Sequence, residues 1–307
     1  MSETPPIWTA KQIEADVQTS AAAFRELRIA EPLEAWLSEV DKRSAEFQQL
    51  FDAHDIAKPH NLTATDVPAI IDSGLLDALR YLPGPPISED DLKNLAEVQS
   101  LSPARLRSDP AAAQRLLDVI RATVDPRRFP WLADNREPTA DERRVAIFTS
   151  ALMHAAPRTL TLRRTIAKVR QEQAVRDELG AHDLRPQRLR RVKTYAEFPP
   201  PGVYSENEVP FGPKKADVLA RLWDDRMLPI ECKVSNSSVN SFKRLNHETL
   251  SKHTAWIDAF GRANVVPTAV LAGVYSTANV IAAQSAGLTI FWSHRIGDLG
   301  AFVDSTR

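Results

Sequence analysis

The stretch that most constrains the fold is "KKADVLARLWDDRMLPIECKVS", Lys214 to Ser235. Two short apolar runs on either side of a turn at Asp224–Arg226 predict an antiparallel pair of strands. Side chains alternate along a strand, so Ile230, Cys232 and Val234 share one face while Glu231 and Lys233 share the other. The turn brings Asp217 alongside Glu231. A helix over Val239 to Phe260 follows, with Phe242, Leu245, Trp256 and Phe260 on one stripe and Gly261 after it. Two further apolar runs, "VVPTAVLAGVY" and "LTIFW", flank a helical pattern around "ANVIAAQSA". From Leu160 the order is helix, strands, helix, strand, helix, strand. An α/β domain with a mixed central sheet flanked by helices is therefore expected over residues 157–307.

Residues 1–156 read as mainly helical. Apolar residues recur at spacings of three and four in "TAKQIEADVQTSAAAFRELRIA" and in "PLEAWLSEVDKRSAEFQQLFDAHD", with Pro32 near the start of the second. Further helices are predicted at "VPAIIDSGLLDALRYL", "SEDDLKNLAEVQSL" and "DPAAAQRLLDVIRATV", separated by proline clusters. "TADE", Thr139 to Glu142, matches a capping box and opens a helix that Pro157 is expected to stop near Ala156. A second helix, "RTLTLRRTIAKVRQEQAVRDELG", is expected to close at Gly180. Dimerisation or clamping of a ligand is the role expected of the helical region.

With 307 residues, 43% hydrophobic and 26% charged, the composition is that of a soluble globular protein. No apolar run approaches the ~20 residues of a membrane span, and the N-terminus lacks the pattern of a secretory signal. A cytoplasmic location is expected. The single cysteine, Cys232, excludes an intrachain disulfide and a multi-cysteine zinc cage, and its apolar neighbours make it a small core residue rather than a nucleophile. Charge is uneven. Residues 1–100 hold 18 Asp and Glu against 8 Lys and Arg, whereas residues 157–195 hold 11 Lys and Arg against 4 acids. A local basic stripe can follow phosphates while the whole chain stays near neutral.

Two carboxylates and an ammonium converging on one sheet face suit phosphodiester hydrolysis. Mg²⁺ prefers oxygen ligands and is held by one or two carboxylates plus substrate phosphate. A lysine beside it can orient the attacking water or neutralise charge on the phosphate. Taken alone, Glu231 and Lys233 also read as a salt-bridged pair on a sheet surface. Glu172 adds a third carboxylate: Val169, Val175 and Leu179, at −3, +3 and +7 from it, place it near the helix face that packs on the sheet. Glu206 and Glu208, in "VYSENEVPFG", are rivals for that role. In "SNSSVNSFKRLN", Ser235, Asn236, Asn240, Lys243, Arg244 and Asn246 suit phosphate and base-edge contacts, with Lys214 and Lys215 as phosphate contacts. No P-loop and no histidine spacing for a metal is found.

"KKADVLARLWDDRMLPIECKVSNSSVNSFKRLN", with "VVPTAVLAGVY" and "GLTIFW", resembles the XamI family of type II restriction endonucleases within the PD-(D/E)XK nuclease superfamily. The likeness covers about Leu160 to Val303 and extends less specifically to "PHNLTATDVPAIIDSG". The superfamily's Pro-Asp stands here as Ala216-Asp217. The resemblance implies a PD-(D/E)XK core, Asp217 and Glu231 as Mg²⁺ ligands with the Cys232 backbone carbonyl, Lys233 as catalytic lysine and Glu172 as supporting carboxylate. It further implies a homodimer cutting both strands of double-stranded DNA at a palindrome, GTCGAC by analogy, leaving 5′-phosphates, with a cognate DNA methyltransferase as functional counterpart. The alternatives are a repair or recombination nuclease of the same fold and a non-catalytic DNA-binding protein.

Overall fold

The computed structural model describes residues 3–30, 32–54, 56–238, 245 and 249–307, with backbone alone at 30, 32 and 60. The chain divides into two compact units, one formed by Glu31–Leu162 and the other by Met1–Ala30 with Arg163–Arg307. The division expected between 156 and 157 therefore changes most at the N-terminus, where residues 1–30 join the second unit.

The helical unit holds α2 (Pro32–Ala53), α3 (Val67–Asp72), α4 (Glu89–Leu95), α5 (Pro103–Ser108), α6 (Pro110–Thr123) and the start of α7 (Ala140–Ala181). Its core includes Phe47, Leu50, Ile70, Leu79, Leu116, Phe129, Trp131 and Ala151. The helix expected across "VPAIIDSGLLDALRYL" is broken: α3 stops at Asp72 and a 3₁₀ turn resumes at Leu76. Gly74 lies between them at φ +72°, a left-handed conformation that other residues adopt at a cost.

The capping box at the start of α7 forms as expected. Thr139 Oγ1 accepts from Glu142 N at 3.2 Å, and Glu142 Oε2 accepts from Thr139 N at 2.8 Å. Pro157 does not stop the helix, which continues to Ala181. A proline inside a helix forfeits one hydrogen bond and costs ~3 kcal/mol, so side-chain anchorage must offset it. Before Pro157, Ala151, His154 and Ala155 are buried, with His154 Nε2 3.1 Å from Asp77 Oδ2; after it, Arg158 pairs with the same aspartate and Thr159 is buried. Gly180 is not the C-terminal cap either. Asp183 takes the left-handed position at φ +64°, and Leu184 N returns to Leu179 O at 3.1 Å.

The second unit is built on a six-stranded mixed sheet in the order β1-β2-β5-β6-β7-β8. These are β1 (Arg185–Gln187), β2 (Val203–Ser205), β5 (Val218–Arg221), β6 (Met227–Ser235), β7 (Thr268–Gly273) and β8 (Thr289–Trp292). A separate hairpin pairs β3 (Val209–Phe211) with β4 (Lys214–Ala216). The expected hairpin is present as β5 antiparallel to β6, with Val218 opposite Ile230. On its other edge β6 runs parallel to β7, with Glu231 opposite Ala269. The run "KKADVLARLW" is split at Asp217, so Lys214 and Lys215 belong to the small hairpin.

One sheet face, with Val218, Ile230, Cys232, Val270 and Phe291, packs on Val175 and Leu179 of α7. The other meets Trp256 and Phe260 of α8 (Leu250–Phe260), Val280 and Ala283 of α9 (Thr277–Ser285), and Ile13 of α1 (Ala10–Ala30). The chain ends in α10 (Gly297–Ser305). The expected helix from Val239 is described from Leu250 onward, and Phe242 lies outside the described residues. Gly261 ends it at φ +82°. Residues 8–28 are fastened to the sheet by polar contacts. Trp8 Nε1 donates to Ile290 O at 2.6 Å, Ser20 Oγ bonds both the N–H and the carbonyl of Gly273, and Asp16 pairs with His294 and Arg295. Among the described residues no helix is long and apolar enough to cross a membrane.

Candidate active site

Strand β6 outlasts β5. Their ladder closes with Asp217 N donating to Ile230 O at 3.1 Å, and β6 then continues to Ser235. At this fork the next N–H on that edge, Cys232 N, donates instead to Asp217 Oδ2 at 2.9 Å. Asp217 is thus a side-chain substitute for the missing strand, 5% exposed and fixed by backbone on both sides. In a strand the N–H and C=O of one residue point to the same edge, so the Cys232 carbonyl faces this fork as well.

Glu231, the next side chain along, is fully buried. Lys233 Nζ lies 2.9 Å from its Oε2, and Lys252 of α8 donates to its Oε1 and to the Lys215 carbonyl at 2.8 Å. The Lys233 contact is an ion pair without hydrogen-bond geometry, which leaves Glu231 Oε2 buried with no hydrogen-bond partner. Burial pushes the Glu231 carboxyl above the usual carboxylate range; Lys233 opposes this and Asp217 adds to it. A carboxyl raised in this way stabilises the fold most when protonated, and that contribution is lost as pH rises through its folded value. Ionised Glu231 is matched by the Lys233 and Lys252 ammonium groups and keeps Oε2 without a hydrogen bond.

Helix α7 supplies the third side of the site. Its inward stripe is Gln171, Val175 and Leu179, all buried, with Gln171 Nε2 donating to Val270 O and Ser293 Oγ at 2.9 Å each. Val169, expected on that stripe, is 56% exposed. Glu172 nevertheless lies at the stripe's edge beside the fork. Lys168 Nζ is 3.3 Å from Glu172 Oε1 and 3.1 Å from Asp217 Oδ1, linking helix to strand. Arg176 Nη2 reaches Glu172 Oε2 at 3.2 Å and the Asp217 carbonyl at 3.3 Å. Burial works against the Lys168 ammonium, yet Asp217 and Glu172 hold it above its ordinary value.

The structure thus brings Asp217, Glu231, Lys233 and Glu172 into one cluster, joined by Lys168, Arg176 and Lys252. The rivals Glu206 and Glu208 are exposed, and Glu208 is engaged by Lys215 at 2.7 Å. Lys214 is exposed. Ser235 is buried and donates to Ser237 O at 2.9 Å, a structural use, whereas Asn236 lines the cleft beside Lys233. Asn240, Lys243, Arg244 and Asn246 lie outside the described residues. The Cys232 thiol packs in the core as expected, and burial, with Asp217 and Glu172 nearby, pushes it well above its ordinary value, so it stays protonated.

The sequence model that describes the XamI restriction endonuclease matches residues 60–292. The chain belongs to the XamI restriction endonuclease family. The type II restriction enzyme XamI of Xanthomonas campestris pv. amaranthicola is 38% identical to it over 268 residues, which is 87% of this chain and 97% of that protein. No solved structure matches. The XamI-family match spans both units and includes α7, the fork and β7. As a type II restriction endonuclease the chain acts on double-stranded DNA.

Sequence reasoning missed four residues around this candidate site. Lys168 and Arg176 were legible in principle, because a charged residue at −4 and +4 from Glu172 marks a helix-face ion-pair run. Lys252 and Arg28 carry no local signal; Lys252 reaches Glu231, and Arg28 the cleft, only through the tertiary fold.

Proposed function

We propose that this enzyme hydrolyses DNA phosphodiesters in the PD-(D/E)XK manner, with Mg²⁺ held by Asp217, Glu231 and the Cys232 carbonyl. The observation that carries the reading is the fork itself. A backbone-anchored carboxylate stands beside a buried carboxylate with an unsatisfied oxygen, and a lysine lies two residues on along the same strand. The donor set fits the ion. Among the described residues no group of three or more His, Cys, Asp and Glu could hold a metal ion; the set proposed is two carboxylates and a carbonyl, and Mg²⁺ takes one or two carboxylates and completes its shell with water and substrate phosphate. When bound, the cation supplies Lewis acidity to the phosphoryl group and a lowered pKa for water. Lys233, held against Glu231, orients the attacking water and balances charge developing on the phosphate. Glu172 positions Lys168 and Arg176 around Asp217 and so acts as a supporting carboxylate. By family resemblance the target is a palindrome, GTCGAC, cut on both strands to leave 5′-phosphates. A cognate methyltransferase would protect the host's own copies, in the cytoplasm where that DNA lies.

Incubation with a plasmid of known sequence is the test. Mg²⁺ is expected to give discrete fragments with ligatable 5′-phosphate ends, and a chelator none. Fragments of random length would favour a repair-type nuclease instead, and intact plasmid would end the proposal.

A palindrome presents two equivalent half-sites, which a two-fold protein meets with one surface used twice. We accordingly expect two protomers per cognate duplex, measured by sedimentation; a stable 1:1 complex that still breaks both strands would contradict this.

Glu172→Gln keeps the shape and removes the charge. Partners that orient the ligands of a metal typically matter by about 10–100-fold, so the cleavage rate should fall by that order with a raised Mg²⁺ requirement and little change in thermal midpoint. The same change at Glu206 or Glu208 should leave cleavage unaffected. The reverse pattern would move the supporting role to the β2–β3 loop.

A further inference from the structure

We propose that Arg28 and Arg164 form a subsite for a DNA phosphate neighbouring the cleaved bond, in the cleft that opens on Asp217 and Lys233. This rests on the reading of the fork as the cleavage site and adds a residue from the acidic N-terminal hundred. The cleft holds about 310 Å³ and is lined by Arg28, Arg164, Lys168, Lys233, Asn236 and Asp217 among others. Among the described residues its lining therefore carries four cations against one carboxylate. Two of those cations are already matched, Lys168 by Asp217 and Glu172, Lys233 by Glu231.

Among the described residues Arg28 has no carboxylate partner of this kind. Its Nη2 donates to a neutral acceptor, Asn236 Oδ1, at 3.3 Å, and its guanidinium stacks 4.9 Å from the Phe24 ring. The charges it feels are like charges: burial and then Arg163 and Arg164 hold its pKa below the ordinary value. Arg28 and Arg164 in one cleft, with Arg163 bonded to the Arg28 carbonyl beside them, repel one another unless an anion enters. The planar fork of arginine matches two phosphate oxygens at once, which a lysine ammonium does not. Asn236, already bonded to Arg28, orients that fork from the end of β6, the strand that carries Glu231 and Lys233. A duplex whose scissile phosphate reaches the fork thus places an adjacent phosphate between the two arginines. The plainer role for Arg28 is to complement the negative end of α1, in whose last turn it lies. That role predicts a change in stability without one in DNA binding.

The test measures binding of a duplex containing the cut site, in chelator so that no cleavage intervenes, across a range of salt concentrations. Arg28→Ala and Arg164→Ala are each expected to weaken binding several-fold at ~0.15 M salt and to lower the log–log salt slope by ~0.9, one phosphate contact apiece. The double variant should lose about twice that slope, and Arg28→Lys should keep the slope while losing part of the affinity. Unchanged slopes in both alanine variants would overturn the proposal, whatever happens to thermal stability. Arg164 is exposed on α7, so its variant tests the subsite even if Arg28→Ala folds poorly. A parent protein that cuts no DNA removes the reading beneath the proposal, and the proposal with it. A parent that cuts while both variants bind normally refutes the subsite alone.

Discussion

Glu231→Gln and Asp217→Asn are each expected to lower the single-turnover cleavage rate by at least ~10²–10³-fold, the usual effect of losing one preorganised electrostatic group. Lys233→Ala should fall in the same range. The amide replacements are preferred at the two acids because of what surrounds them. Asp217→Ala would strand the buried Cys232 N–H, which now donates to Oδ2 at 2.9 Å; an unsatisfied buried donor costs about 1–3 kcal/mol and would mix instability with lost chemistry. Asparagine can still accept that bond. At Glu231, alanine would leave Lys233 and Lys252 facing an empty buried site, whereas glutamine keeps an oxygen for Lys252. DNA binding should largely survive, since phosphate contacts come from elsewhere in the cleft. A variant that cuts at close to the parent rate means the site is wrongly placed.

The second large effect concerns stability. Gly273 sits at the end of β7 with φ +95°, and a Cβ there would lie 2.1 Å from the Ser235 carbonyl oxygen. That oxygen cannot retreat easily. It accepts from Val274 N at 2.8 Å, and Gly273 is itself bonded through both backbone groups to Ser20 Oγ. Gly273→Ala therefore combines a left-handed conformation with a backbone clash, and a loss of roughly 3 kcal/mol or more is expected. Gly74→Ala is the control. Its φ of +72° is similar, but nothing lies within 4 Å of the added Cβ, so about 1–2 kcal/mol is expected from conformation alone. Chemical-denaturation midpoints measure both, and equal losses would show that the clash is relieved by some shift of β6.

The strand pair of the candidate site was legible because alternation and a short turn are local properties. "VLAR" and "MLPIECKVS" state their own pairing, and the order of apolar runs after them gives a mixed sheet. Glu172 was placed at the site by helix periodicity even though one of its three supports, Val169, proved exposed; Val175 and Leu179 carried the inference. What escaped were effects decided at a distance. The helix through Pro157 persists because buried side chains on either side offset a local penalty, which no residue near the proline announces. The first helix and the residues before it join the sheet unit through bonds such as Ser20 to Gly273 and Trp8 to Ile290, between residues more than 250 positions apart. Its amphipathic pattern told of a buried face but not of the partner. For the same reason Arg28 sat unnoticed in an acidic stretch whose net charge pointed away from DNA.

The central claim is that Asp217 and Glu231 hold the divalent ion. It is tested most directly by titrating Mn²⁺, a paramagnetic stand-in for Mg²⁺, into the protein–duplex complex and following the free-ion resonance. The parent complex should bind the ion at least ~10-fold more tightly than the Glu231→Gln and Asp217→Asn complexes. Equal affinity in all three would contradict the account.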